Sequence, residues 1–392
     1  MKMTQALRTE RIERLLKLLA IPGTSGEERA VSDHVRAELL AAGAKSEWIT
    51  EDRAGDKTPV RSGVGNLICR FPGSTTGPTR LLMAHLDTVP ICVGCEPVKK
   101  GTRIESRNKE TGLGADNRAG CAVILGAAIE LLRESIPHPP LTFLWTVQEE
   151  TGLHGARLVD KSLLGKPALA FNWDGGSPEK LTIGATGGYR MTIEVRGIAS
   201  HAGGAPEQGV SAIAIAGLAI AQLQSKGWHG AIRKGKSRGT SNIGVISGGN
   251  ATNVVCDYVR LRAEARSHDP IFRSRIVAEI ERAFAIAAEQ VANEAGQHGE
   301  VSFDGRVDYE SFRLADDSPT VRAAAQAVEA TGKTPELAIS NGGLDANWLS
   351  SRGIPTVTLG CGQRNQHMKT EWADIPEFLF ACSVAKRLAT GE

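Results

Sequence analysis

Three apolar runs in this chain each stop abruptly at acid or histidine. Leu81-Leu82-Met83-Ala84 leads into His85-Leu86-Asp87, Leu141-Thr142-Phe143-Leu144-Trp145-Thr146-Val147 into Gln148-Glu149-Glu150, and Ala168-Leu169-Ala170-Phe171 into Asn172-Trp173-Asp174. Runs that are apolar throughout, rather than alternating, predict strands buried on both faces of a sheet covered by helices. Helical periodicity supplies the cover over residues 4–20 and 27–42, the second helix preceded by Ser25-Gly26-Glu27-Glu28, which reads as a capping box. Gly114-Ala115-Asp116 opens a further helix through Cys121-Ala122-Val123-Ile124-Leu125, placing Asp116 near its start. Strands that deliver His, Asp and Glu at their carboxyl ends do so at the edge of an open α/β sheet where ligands bind.

After Asp174 the rhythm changes. Residues 189–195, 241–247, 254–266 and 301–309 alternate as strands, and residues 209–223 and 269–294 read as helices. That order, β-α-β-β-α-β, is the ferredoxin-like arrangement. Signals of the first kind resume near residue 315, with a buried strand over 353–359 and a glycine-rich loop holding His367. The expected fold is therefore α/β, an open mixed sheet flanked by helices, with an inserted ferredoxin-like α+β domain. The boundaries fall at 1–184 plus 311–392 for the larger domain and 185–310 for the insertion.

Composition narrows the function. A length of 392 residues suits two domains, and 41% hydrophobic with 23% charged residues is ordinary for a globular protein. A formal net charge of +2 is too balanced for a nucleic-acid or membrane-surface binder. The one basic run, Arg233-Lys234-Gly235-Lys236-Ser237-Arg238, has no interleaved aromatics and reads as a solvated loop. Seven scattered cysteines fit a reducing compartment, and Cys92-Val93-Gly94-Cys95 lacks the second pair a tetrathiolate site needs. The charged amino-terminal stretch is no signal-peptide core, and no apolar run approaches the roughly 20 residues that span a bilayer, so a cytoplasmic protein is expected. Gly112, Gly114 and Gly120 do not space as a dinucleotide fingerprint, and no Gly-x-Ser-x-Gly elbow is present.

The carboxylates and histidines read as a metal site. Two residues apart on an extended segment, His85 and Asp87 point the same way, so Asp87 can accept a hydrogen bond from one ring nitrogen while the other binds metal. Asp116 is placed to bridge two metals. On an extended backbone Glu149 and Glu150 face opposite ways, which gives one to coordination and the other to general-base work. Charge counting favours two ions: His85 and His367 are neutral, and Asp116, Glu150 and Asp174 set three negative charges against four positive. The small positive residue would bring a bridging water to a pKa of about 7. Such a shell accepts zinc, manganese or cobalt.

These residues resemble a known family, the dizinc exopeptidases and deacylases that include peptidase T, glutamate carboxypeptidase and aminoacylase, and the peptidase T-like branch most of all. Met83-Ala84-His85-Leu86-Asp87-Thr88-Val89-Pro90 looks like its first metal motif, Gly112-Leu113-Gly114-Ala115-Asp116-Asn117-Arg118-Ala119-Gly120 like its bridging-aspartate motif, and Glu149-Glu150-Thr151-Gly152 like its base-plus-ligand pair. The resemblance implies a zinc-exopeptidase fold and metal ligands His85, Asp116, Glu150, Asp174 and His367. It implies Glu149 as base, Asp87 behind His85, and a cis Asp116–Asn117 peptide, although many members carry Asp where this chain has Asn117. Ser200-His201-Ala202-Gly203-Gly204-Ala205-Pro206 resembles a loop whose histidine reaches the active site of a partner subunit, so His201 would stabilise an oxyanion in a homodimer. Asn253, Arg266 and the loop Asn341-Gly342-Gly343 resemble substrate-holding positions; an Arg fits a peptide carboxylate, with a surface ion pair as the alternative for Arg266. Peptidase T itself has a basic residue just before its Gly-Gly, where this chain has Asn341. The implied activity is hydrolysis of short peptides from one end by metal-activated water. The alternatives are a carboxypeptidase or a deacylase of N-acyl amino acids, and more remotely a binder of metal or peptide that has no activity.

Overall fold

The computed structural model describes residues 3–60 and 62–391. Two compact units form: one runs to Gly184 and includes Arg313–Ser340 and everything from Leu344 on, and the other is Ala185–Phe312 with Asn341–Gly343.

In the first unit a mixed sheet carries strands in the order Ile49–Glu51, Leu67–Phe71, Leu141–Thr146, Arg80–His85, Leu169–Trp173, Thr356–Leu359, Lys180–Ala185. Its four central strands, Leu141–Thr146, Arg80–His85, Leu169–Trp173 and Thr356–Leu359, are mutually parallel, so their carboxyl ends share one edge. Alternate residues of each strand serve separate cores. Leu82 and Ala84 face helices Gln5–Ala20, Ala115–Arg133 and Ile375–Thr390, whereas Leu81 and Met83 face the layer of Ala156, Leu164 and Leu349. Burial on both faces is why the runs read as continuously apolar.

The second unit is a five-stranded antiparallel sheet in the order Gly230–Lys234, Ser237–Gly248, Tyr258–Ser267, Gly187–Arg196, Glu300–Tyr309. Helices Ala212–Ser225 and Pro270–Gln290 bury Ile215, Ala219, Ile276 and Phe284 against Ile193, Val195 and Leu261 of the sheet. Without the edge strand Gly230–Lys234 this is the split β-α-β order.

That edge strand corrects one expectation. The basic run is no open loop: Arg233 pairs with Arg238 and Lys234 with Ser237 across a two-residue hairpin turn. Gly235 is its first central residue at φ 62°, the left-handed position a II′ turn demands. The capping box also fails. Helix Arg29–Ala41 starts at Glu28 without a side-chain cap, because the Ser25 hydroxyl donates to Asp87 Oδ2 at 2.6 Å and Glu28 Oε1 accepts from Gly26 N and Gln148 N. Both residues are drawn into the floor of the strand-end cluster. No helix among the described residues is long and apolar enough to cross a membrane.

Candidate metal centre and active site

The shared carboxyl edge of the parallel strands gathers what the sequence scattered. His85 ends its strand, Asp174 follows Trp173, and Glu149 and Glu150 lie just past Thr146. Asp116 stands at the entry of helix Ala115–Arg133, where it and Asn117 leave helical geometry and the Asp116–Asn117 peptide is cis. His367 comes from the loop after Thr356–Leu359, at φ 62°.

Ligand atoms of His85, Asp116 and Glu150 lie within 4.8 Å of one another, as do those of His85, Glu149 and Asp174. Asp116 is shared between two imidazoles: Oδ1 is 3.2 Å from His85 Nε2 and Oδ2 is 3.3 Å from His367 Nε2. His367 Nε2 also meets Glu150 Oε1 at 2.9 Å. The inner ring nitrogen of His85, Nδ1, faces the Asp87 carbonyl at 3.1 Å and its carboxylate at 3.3 Å. Two acceptors there assign the ring proton to Nδ1 and leave a lone pair on Nε2. That lone pair points at Asp116 Oδ1, a buried oxygen that has no hydrogen-bond partner among the described residues. A lone pair aimed at an orphaned carboxylate oxygen fits a cation shared by both atoms.

Electrostatics agree with that fit. Burial, then the neighbouring carboxylates of Asp345, Asp174 and Glu150, push Glu149 well above the usual carboxylate range. Asp174 rises for the same reasons, burial first and then Asp116. Hydrogen bonds to Asp116 and Glu150 raise His367 to about 10. Burial works against a charged His85, yet without an ion its contacts with Asp116 and Asp87 lift it well above its ordinary value, so that a second ring proton on Nε2 stands where a cation would take the lone pair. The cluster is thus short of positive charge, and protons take the place of cations.

The Glu149–Glu150 pair departs from the expected extended backbone. Gln148 turns at φ 52°, and the next two amides converge on one side chain: Glu149 N donates to Asp87 Oδ1 at 3.0 Å and Glu150 N to Oδ2 at 3.1 Å. Their separation comes from a turn held by Asp87, not from strand alternation.

The remaining sequence candidates lie in the second unit. His201 is exposed, and its Nδ1 accepts from Gly203 N and Gly204 N at 3.1 and 2.9 Å, which leaves Nε2 carrying the proton outward. Asn253 lies beside it, its carbonyl accepting from Ala202 N at 2.9 Å. Arg266 makes a two-pronged pair with Glu264 at 3.0 and 2.9 Å, and Asn341 Oδ1 is 3.0 Å from His268 Nε2. Gly343 packs on Tyr309 so closely that a Cβ would fall 2.6 Å from its ring. Three buried acids went unassigned in the sequence. Glu28 is raised to about 7 by burial and then by Asp87, and Asp345 to about 6 by burial foremost, with Asp87 and Glu150 adding to the rise. Glu371 accepts three backbone amides. Asp345 had a signal in its place just after the Gly-Gly loop, Glu28 was read only as part of a capping box, and Glu371 stands in an unremarkable polar stretch.

The signature of peptidase family M20/M25/M40 matches residues 81–391, and the chain belongs to that family. Over 369 residues it is 33% identical to the uncharacterised protein YqjE of Bacillus subtilis, covering 94% of each chain. Its fold matches a tripeptidase from Staphylococcus aureus with a TM-score of 0.87 at 29% identity over 97% of each chain. It matches aminopeptidase PepT from Bacillus cereus with a TM-score of 0.84 at 32% identity, over 97% of this chain and 98% of that one. The protein is a metallo-hydrolase acting on peptide bonds.

Proposed function

We propose that this protein is a dinuclear-metal exopeptidase of short peptides, a tripeptide aminopeptidase-like enzyme. The observation that carries the reading is Asp116, one carboxylate oxygen against each of His85 and His367. His85, Asp116, Glu150, Asp174 and His367 would hold two divalent ions, zinc being the natural occupant and manganese or cobalt acceptable. When bound, the ions supply Lewis-acid polarisation of the scissile carbonyl and a lowered water pKa.

The rest belongs to the chain's own residues. Glu149 takes the proton of the attacking water and passes it to the departing amine, a role suited to a carboxylate set beside the ligand cluster by the Asp87-held turn. Asp87 orients His85 through Nδ1 and sets the Glu149–Glu150 turn. His201, with Nε2–H exposed, is suited to donate to the developing oxyanion of a second copy. Asn253, Arg266, Asn341, Gly342 and Gly343 form the substrate-holding set, Arg266 exchanging Glu264 for a peptide carboxylate.

A homodimer through the second unit is supported by an apolar helix face without cover. Ile213 and Leu218 of helix Ala212–Ser225 are 51% and 45% exposed, and the same unit also exposes Ile246 at 54% and Val254 at 44%.

The test is product analysis of zinc-supplemented digests of a defined tripeptide, a dipeptide and an N-acyl amino acid. Release of the amino-terminal residue from the tripeptide is expected. Release from the carboxyl end, or hydrolysis of the N-acyl compound alone, assigns the site to a carboxypeptidase or a deacylase. Glu149→Gln should lower kcat by at least roughly 10²–10⁴-fold with metal content intact. Near-normal turnover in that variant removes Glu149 from the role.

A further inference from the structure

Glu371 is buried, 2% exposed, and the chemistry described so far makes no use of it. It lies four residues beyond His367, yet its side chain reaches the loop that carries Asp116. Oε2 accepts from Leu113 N at 2.9 Å and Gly114 N at 2.7 Å, with the Cys92 thiol at 3.6 Å, and Oε1 accepts from Asp116 N at 3.0 Å. The loop wraps this carboxylate closely: a Cβ on Gly112 would lie 3.1 Å from Oε2, and Gly114 takes φ 78° to present its amide. One side chain therefore ties together the two segments whose acidic and imidazole groups meet at 3.3 Å.

We propose that Glu371 is a positioning residue that fixes the separation of Asp116 and His367, and through it the affinity of the ion those two share. The inference rests on the two-ion reading above. The donors explain why the residue is a carboxylate. Three amides and a thiol converge on two oxygens, and a carboxylate accepts at both while an amide accepts at one and opposes a donor with its NH₂. In Glu371→Gln either the Asp116 amide or the Leu113–Gly114 pair loses its acceptor, and Asp116 swings relative to His367. The His85 side has ties of its own, the Asp87 contacts and the Cys121 thiol donating to the His85 carbonyl at 2.9 Å, so the ion that Asp116 shares with His85 is weakened less. Outer partners that orient metal ligands carry roughly 10–100-fold in affinity.

The experiment is a zinc titration of the ion-free full-length protein against a chromophoric chelator, for wild type, Glu371→Gln, Glu371→Asp and Cys92→Ala, with melting temperatures recorded in parallel. Wild type should bind two ions. Glu371→Gln should weaken the ion held by Asp116 and His367 about 10–100-fold and the other markedly less, with kcat recovering in excess zinc. Cys92→Ala, which loses only the thiol contact, should titrate as wild type. A merely structural role would lower the melting temperature and weaken both ions alike or neither; either result, in a folded variant, overturns the proposal. Should Glu371→Gln fail to fold, Glu371→Asp keeps both oxygens but draws them back, and the same selective weakening is expected of it; unchanged affinities there also overturn the proposal. A wild-type protein that binds fewer than two ions sinks the two-ion reading itself, a different result from two ions bound equally by every variant.

Discussion

Asp87→Asn is the sharpest single test of how the strand ends are assembled. Asp87 is fully buried, and its two oxygens receive Glu149 N at 3.0 Å, Glu150 N at 3.1 Å and the Ser25 hydroxyl at 2.6 Å, while His85 Nδ1 stands 3.3 Å away. Asparagine offers one acceptor in place of two. If its oxygen stays with Glu149 N and His85, its NH₂ group confronts the Glu150 amide, donor against donor. One charge-assisted hydrogen bond is lost and a part-buried amide is left without its acceptor, together worth about 1.5–3 kcal/mol. That loss corresponds to a fall in melting temperature of roughly 3–12 °C for a unit of this size. The relief of that conflict moves the turn carrying both glutamates, and a displacement near 1 Å at a reacting group costs on the order of 10² in rate. Differential scanning calorimetry of the ion-free protein reads the first effect and tripeptide turnover in saturating zinc the second. A melting temperature unchanged within about 2 °C together with wild-type kcat would show that Asp87 does not hold the turn.

Two further outcomes follow from the same geometry. In the ion-free protein His367 is raised to about 10 by Asp116 and Glu150, so at neutral pH it carries a proton that an incoming ion displaces. Zinc affinity should therefore rise as pH increases, by up to about tenfold per unit up to the folded pKa, with net proton release in calorimetry run in buffers of different ionisation enthalpy; affinity independent of pH would contradict the assignment. If the apolar face around Ile213 and Leu218 joins two copies, Leu218→Glu should halve the mass seen by light scattering and remove activity that depends on His201 of the partner subunit, while a wild-type monomer at assay concentration would end the dimer reading.

How much of this was legible in the chain depended on what each residue's neighbours in sequence already implied. Leu81–Ala84, Leu141–Val147 and Ala168–Phe171 announced themselves as strands buried on both faces, because such strands need no polar alternation. The second unit's strands alternated because one face of their sheet is open, and their order was readable for that reason. His85, Glu149, Glu150 and Asp174 were exposed as candidates by polar residues closing apolar runs. Glu371 gave no such sign, and Glu28 pointed only to a helix cap. A buried carboxylate that accepts backbone amides looks, in sequence, like any surface glutamate, and only a fold that brings Gln148 to Glu28 and Leu113–Asp116 to Glu371 distinguishes them.

The extended-backbone reading of Glu149–Glu150 failed for a related reason. Local pattern favoured a continuing strand, and the Asp87 carboxylate, 62 residues away in the chain, overrode it by collecting two successive amides. Ser25 was likewise taken from its local capping role by the same carboxylate. The chain alone determined which strands form, which side chains end them and the family those side chains define, since each depends on short-range periodicity and residue type. The tertiary structure decided which acids face each other, which oxygen is left without a donor and which carboxylates hold turns, because hydrogen bonds and charge repulsion act between atoms brought together only by the packing of strands and loops far apart in sequence.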